Sequence, residues 1–191
     1  SVATSLKMIE QARKKNLNLT ASTSVWHLNF TDMDVQGFDT NFKIMPPLRS
    51  EKDKIALIDA VADGTIQFLT SLHTPIDTDN KDTEFLEAEY GNISLQTAFA
   101  LGYRALKNRL SLEEYVSLWT TTPRKVLKIK LPQIAVGKKA ELTFFSLELY
   151  TFVKEDIVSK SHNTPLVGET FEVKVIGTCN GEHLNFNTPL L

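Results

Sequence analysis

Alternating helix and strand signals over residues 1–125 predict an α/β sheet or barrel, and short β-prone runs over residues 126–191 predict a small antiparallel β domain. Three observations carry this. Amphipathic helical stretches alternate with short apolar runs; those runs are apolar on both faces, as in parallel strands covered on each side; and turn residues punctuate the last third at strand-length intervals.

The elements follow in order. Residues 4–15 place Leu6, Ile9 and Ala12 at helical spacing, with Arg13, Lys14 and Lys15 where a helix dipole favours cations. Leu17 to Val25 alternates and is rich in Thr and Val, and so reads as a strand. Ser50 followed by Asp53 has the spacing of a capping box, and Ile55, Leu57, Ile58 and Val61 give the next helix an apolar side. Gly64 ends that helix, and Thr65 to Thr70 forms the next strand. Asp77 to Glu89 mixes acids, Asn, Thr and Lys without period and reads as a solvated loop. Two helices follow, Leu95 to Lys107 and Ser111 to Thr120, the second with acids in its first turn. Composition changes at Thr122-Pro123, which places the domain boundary near residue 125. Beyond it Ala140 to Phe145, Phe171 to Ile176 and Glu182 to Phe186 are β-prone, with turn signals at Gly137, Asn163-Thr164-Pro165, Gly168 and Asn180-Gly181.

Composition narrows the function classes. Of 191 residues, 42% are hydrophobic and 23% charged, which suits a globular core. A net charge of -2 with no clustered basic face argues against a nucleic-acid partner. No apolar run approaches the roughly 20 residues that span a bilayer. No leader is visible, so the sequence reads as cytoplasmic, with no membrane partner. The single Cys179 can form no internal disulfide and reads as a small buried hydrophobe.

Candidate chemistry centres on Asp63 to Ile76, a helix end, a buried strand and a loop in which a hydrolase would place its reactive groups. His73 is the one candidate for contact with a substrate; a lone His beside Pro75 is more often a hydrogen-bonded structural residue. His27 has no second ligand at metal spacing, and Trp26 beside it reads as core. His162 and His183 fall in the β domain. Arg49 could meet an anion, but after Pro46-Pro47 it reads as ordering a turn. Asp32, Asp34 and Glu51 read as exposed acids.

Several segments together resemble the dihydroorotase family of the amidohydrolase superfamily. Ser1-Val2-Ala3-Thr4-Ser5 looks like the residues after the family's His-Ile-Ser strand, and Trp26-His27-Leu28 sits at its Pro-His-His-Leu turn. Ile44-Met45-Pro46-Pro47-Leu48-Arg49 resembles Asn-Pro-Pro-Leu-Arg. Ser71-Leu72-His73-Thr74-Pro75-Ile76 takes the place of Thr-Asp-His-Ala-Pro-His, and Leu95-Gln96-Thr97-Ala98 resembles Leu-Glu-Thr-Ala. Ile134-Ala135-Val136-Gly137 with Ala140-Glu141-Leu142, then Ser159-Lys160-Ser161 with Asn163-Thr164-Pro165 and Gly168, look like the return to the family's β-sandwich.

The resemblance implies the C-terminal portion of a metal-dependent-hydrolase TIM barrel over residues 1–125, and a small β-sandwich over 126–191. About two of a barrel's strands are expected in the chain, whose stability would then depend on a missing N-terminal barrel half. The resemblance also implies three substitutions in the site. The metal-binding Asp that is also general base is Leu72, the substrate-binding Asn is Met45, and the substrate-holding His is Ile76. Leucine can neither bind a metal nor take a proton from water, so no catalytic residue and no metal ligand is expected here, and the three changes suggest an apolar plug.

Three readings stay open. The first is a dihydroorotase-like protein of pyrimidine biosynthesis that has lost catalysis and assists assembly, with aspartate carbamoyltransferase or a second copy of itself as partner. The second is an active cyclic amide hydrolase using zinc held outside this chain and a base supplied from elsewhere. The third is a β-domain interaction module with a degenerate α/β appendage.

Overall fold

The computed structural model describes residues 2–186; Ser1, which opens the first of the resembling segments, and residues 187–191 lie outside the described residues. Helix α1 (Ala3–Lys14) has Leu6 buried and Arg13 and Lys14 in its last turn. Its C-terminus is closed by Asn16 at φ 58°, a left-handed conformation that Asn tolerates. The stretch expected as one strand from Leu17 to Val25 is shorter: β1 is Ser22–Ser24 and Val25 already opens α2 (Val25–Asn29). The cause is Ser24, whose side chain accepts the Trp26 N–H and caps a helix that the Thr- and Val-rich composition conceals.

The Ser50 cap of α3 (Glu51–Ala62) is as the spacing predicts, with the side chain accepting the Asp53 N–H. Gly64 terminates the helix at φ 79°. Strand β2 (Phe68–Thr70) pairs with β1 in parallel, in the register Ser22 to Phe68, Thr23 to Leu69 and Ser24 to Thr70. Helices α4 (Ala98–Leu106), α5 (Leu112–Ser117) and α6 (Thr121–Val126) follow. Ser111 and Glu114 form a capping box at the start of α5, which holds the Glu114 carboxyl below its ordinary range.

The last third is antiparallel. Strands β3 (Glu141–Ser146), β6 (Lys174–Asn180) and β7 (His183–Phe186) form one sheet in the order β3-β6-β7. Strands β4 (Tyr150–Thr151) and β5 (Thr170–Phe171) form a two-stranded ladder. Asn180-Gly181 turns β6 into β7, with Gly181 at φ 65°.

One hydrophobic core joins the two parts. Val25, Trp26, Leu57, Leu69 and Leu101 lie in the same cluster as Phe152, Leu166, Phe171 and Val173. Arg104 of α4 fastens the junction, donating to Asn29 at 3.0 Å and to Glu169 at 2.9 Å and lying over the rings of Phe30 and Phe171. Two parallel strands do not close a barrel, and no closed barrel occurs among the described residues. No helix among them is long and apolar enough to cross a membrane.

Candidate functional site

Because β1 and β2 run parallel, the segments that leave their C-terminal ends share one edge of the sheet. In open α/β sheets and barrels that edge is where ligand-binding groups collect. Here it carries α2 with His27, and the loop 71–76.

His27 is buried and has both ring nitrogens engaged. Nε2 lies 3.1 Å from the Pro46 carbonyl and 3.3 Å from that of Pro47. Carbonyls only accept, so Nε2 carries the proton and Nδ1 accepts the Ser24 hydroxyl at 3.1 Å. Burial pulls the imidazole pKa below its ordinary value and keeps the ring neutral. His27 thus ties the start of α2 to the Pro46-Pro47 turn.

The loop after β2 is stitched on two sides. The Ser71 carbonyl accepts the Ser94 hydroxyl at 2.5 Å, and Nδ1 of His73 accepts the N–H of Ser94 at 3.0 Å and of Leu95 at 3.2 Å. Thr74 N–H donates to Asn92 at 2.8 Å. Ile76 N–H donates to Oδ1 of Asn163 at 3.4 Å, and the Ile76 carbonyl accepts the Ser161 hydroxyl. Gly91 is required behind this loop: at φ 146° a Cβ would lie 2.6 Å from the Thr74 oxygen. Between the strands of this stitching, Leu72 sits at φ 56° and packs half-buried against the core. A left-handed backbone is uncommon for a branched side chain and is tolerated by Asp and Asn.

Leu72, Met45 and Ile76, the three positions that the resemblance marks, do not come together in a described cavity. Met45 is 55% exposed. Ile76 lines a groove of about 410 Å³ with Pro75, Asp77, Thr78 and Ser159 to Ser161. His73 borders a space of about 10 Å³ beside Ser94, Thr97 and Phe152, room for a single water. Leu72 lines neither.

The other candidates are placed apart. Trp26 is fully buried core. His162 is exposed, and so is His183 on β7. Asp32 and Asp34 are exposed, Asp34 closing a capping box with Thr31. Glu51 is exposed in the first turn of α3, where it pairs with Lys54. The carbonyl of Arg49 accepts the Asp32 N–H at 2.9 Å, which orders the turn through the backbone.

Sequence reasoning passed over two lysines. Lys43 and Lys81 are buried, and each ammonium is held by backbone carbonyls. Lys43 donates to Phe85 at 2.7 Å and Leu86 at 2.8 Å and lies over the rings of Phe85 and Tyr90. Lys81 donates to Thr40 and to Glu89, the latter at 2.9 Å. Burial, then the charge of Lys43, pushes Lys81 down to about 8. The segment 77–89 is therefore not uniformly solvated: Lys81 and Ala88 point inward and pin it to residues 40–43. The one sequence signal is a lone cation inside an acidic run.

The residues present do not fit a hydrolytic zinc site. Among the described residues no group of three His, Cys, Asp or Glu side chains is placed to hold a metal ion. At the loop after β2, Leu72 offers no donor atom, Nδ1 of His73 is taken by two amides, and both nitrogens of His27 are taken.

Residues 3–181 match the profile of the amidohydrolase family. The dihydroorotase of Bacillus subtilis (strain 168) is 36% identical over 171 residues, 88% of this chain and 40% of that protein. The dihydroorotase of Endomicrobium trichonymphae is 35% identical over 188 residues, 96% of this chain and 44% of that protein. The chain therefore spans less than half the length of these relatives. Among solved structures, the L-hydantoinase (dihydropyrimidinase) from Arthrobacter aurescens superimposes over the whole chain and 45% of its own, with a TM-score of 0.85 at 23% identity.

Proposed function

From the premise that the chain belongs to the amidohydrolase family and forms a dihydroorotase-like piece of its barrel, we propose that the protein is a relative that has lost metal-assisted hydrolysis and serves in assembly. The observation that carries this is Leu72. By the resemblance it takes the place of the family's metal-binding Asp; it has a left-handed backbone of the kind Asp tolerates and packs its side chain against the core. A hydrolytic site needs at that place a ligand and a base together, and leucine is neither. Met45 and Ile76, which the resemblance sets at the positions of the substrate-binding Asn and His, support the same reading.

The assembly role is supported by the sheet. Strands β1 and β2 each keep one edge without a strand partner among the described residues, and an open parallel edge calls for further strands. The missing barrel half supplies these, and the completed protein holds a partner such as aspartate carbamoyltransferase in its working complex.

The test is the metal content of the protein and its hydrolysis of dihydroorotate. Absence of stoichiometric zinc and of turnover, with neither restored by Leu72→Asp alone, is the expected result. Bound zinc with turnover overturns the proposal. A second reading has one observation in its favour: the chain spans 40% of the Bacillus subtilis relative, leaving room for ligands outside it. In that case the protein hydrolyses a cyclic amide in its natural form, and Leu72→Asp changes the rate only modestly.

A further inference from the structure

Gly91, Asn92 and Ile93 lie outside any helix or strand, yet all three are buried. Their backbone bonds to three other segments. The Gly91 N–H donates to the Lys43 carbonyl at 2.9 Å, the Asn92 carbonyl accepts the Thr74 N–H at 2.8 Å, and the Ile93 N–H donates to the Asn163 carbonyl at 2.9 Å. The Asn163 side chain crosses this junction, with Nδ2 donating to the Gly91 carbonyl at 3.2 Å and Oδ1 accepting the Ile76 N–H at 3.4 Å. Residues 91–93 thus join the stretch that leads to Met45, the loop of Leu72 and Ile76, and the antiparallel part of the chain. All of these bonds lie within this chain, and the residues that make them at 91–93 and 163 are buried by it alone. Any further strands of the barrel add cover to them and take none away.

None of the three segments can leave without stripping a partner from a buried donor or acceptor of 91–93, and a buried polar group left unpaired costs more than its hydrogen bond contributes on average. The segments therefore open together. Their opening is also favoured from within: Oδ1 of Asn92 is buried with no partner among the described residues, and Nδ2 reaches the Asn41 carbonyl only at 3.4 Å. Water supplies the missing bond once the unit opens. Irregular backbone held by polar bonds is also where local opening falls below global unfolding.

We propose that residues 91–93 are a coupling element, through which residues 41–43, the loop after β2 and residues 161–163 open and close as one unit. A contact that orders one of these segments then orders the others, because the cost of closing the unit is met once. Asn163 is the positioning residue of the unit, since its side chain ties residues 76 and 91 at the same time. Through it the antiparallel part of the chain sets the loop after β2, whether or not that edge holds a metal.

The experiment is native-state hydrogen exchange on the protein in its natural form, resolved to single amides, with Asn163→Ala and Ser161→Ala as variants. Ser161→Ala is the milder change and removes the hydroxyl that donates to the Ile76 carbonyl. In the wild type the amides of Gly91, Thr74 and Ile93 are expected to share one opening free energy, lower than that of the buried Leu57 in α3. Asn163→Ala should lower the protection of all three by one common factor of roughly 10- to 100-fold, and Ser161→Ala by a smaller common factor, with Leu57 unchanged. The Gly91 amide decides, because its bond to Lys43 involves neither substituted side chain. A Gly91 amide that keeps its protection while Ile76 loses it overturns the proposal. So do three separate opening free energies in the wild type. A Leu57 amide that loses protection by the same factor overturns it too, since Asn163 would then support the whole fold and not this unit. Where Asn163→Ala fails to fold, Ser161→Ala decides by the same pattern.

Discussion

Nδ1 of His73 accepts the backbone N–H of Ser94 at 3.0 Å, so one imidazole nitrogen fastens the loop after β2 to the segment that leads into α4. The N–H of Leu95 converges on the same atom at 3.2 Å. Oδ1 of an asparagine can stand close to that nitrogen, whereas leucine leaves both amides without an acceptor. His73→Leu is therefore expected to lower the unfolding free energy by about 1–3 kcal/mol, with His73→Asn retaining most of it. Urea denaturation of the three proteins checks this, and equal losses in both variants would assign His73 no acceptor role.

His27 makes stability depend on pH in a definite direction. Its pKa is lowered by burial from the ordinary 6.5, so the unfolded chain takes up a proton before the folded one does. The contribution of His27 is complete above that ordinary value and is lost as pH falls through the folded pKa, with a slope of at most about 1.4 kcal/mol per pH unit. Urea midpoints between pH 8 and pH 5 should fall more steeply for the wild type than for His27→Gln. Parallel curves would remove His27 from the acid limb.

Much of this was legible where local chemistry decides structure. Ser50 with Asp53 and Ser111 with Glu114 announce helix starts, and Asn180-Gly181 announces a hairpin, because each acts through atoms a few residues away. The apolar run ending at Thr70 gave a parallel strand, since only a strand covered on both faces can be so uniformly apolar. Two things were hidden. Leu17 to Ala21 has strand composition but, among the described residues, no ladder partner beyond the Gln67 N–H, which donates to Ala21. Lys43 and Lys81 look like surface cations, and their burial depends on carbonyls of residues 40 and 85–89 that only the folded chain brings near.

Lys81 provides the alkaline counterpart of His27. Desolvation, then the charge of Lys43, brings its pKa from 10.5 to about 8. Below pH 8 the folded and unfolded chains both carry the charge, and the buried ammonium costs stability. Between about 8 and 10.5 the folded amine is neutral while the unfolded one still holds its proton, so this contribution rises with pH. A neutral amine still donates to Thr40 and Glu89, so the loop keeps its pins. The Nζ resonance of Lys81 should titrate with a midpoint near 8. The stability gap between wild type and Lys81→Met should widen in favour of the wild type from pH 8 to pH 10. A midpoint at the ordinary lysine value would show the ammonium to be solvated.

A last prediction concerns the end of α6. Lys128 lies at φ 57°, one residue beyond the C-cap Leu127. The N–H of Ile129 donates to the Arg124 carbonyl at 2.8 Å and that of Lys128 to the Lys125 carbonyl at 3.2 Å, the paired bonds of a Schellman closure. Asn16 fills the equivalent place after α1, with Leu17 donating to Ala12 at 3.1 Å and Asn16 to Arg13 at 2.8 Å. Asn accepts this left-handed position readily, but a lysine there bears a cost of about 1–2 kcal/mol from its Cβ against the following carbonyl. The Lys128 side chain is exposed and makes no hydrogen bond or ion pair among the described residues that would offset it. Glycine removes the strain but adds freedom to the unfolded chain, which returns about 0.5–1 kcal/mol. Lys128→Gly is thus expected to stabilise the protein by up to about 1 kcal/mol, read as a higher urea midpoint at unchanged m-value. Lys128→Val, branched at the crowded carbon, should move the midpoint the other way, and a fall for the glycine variant would mean that the left-handed turn is not strained in solution.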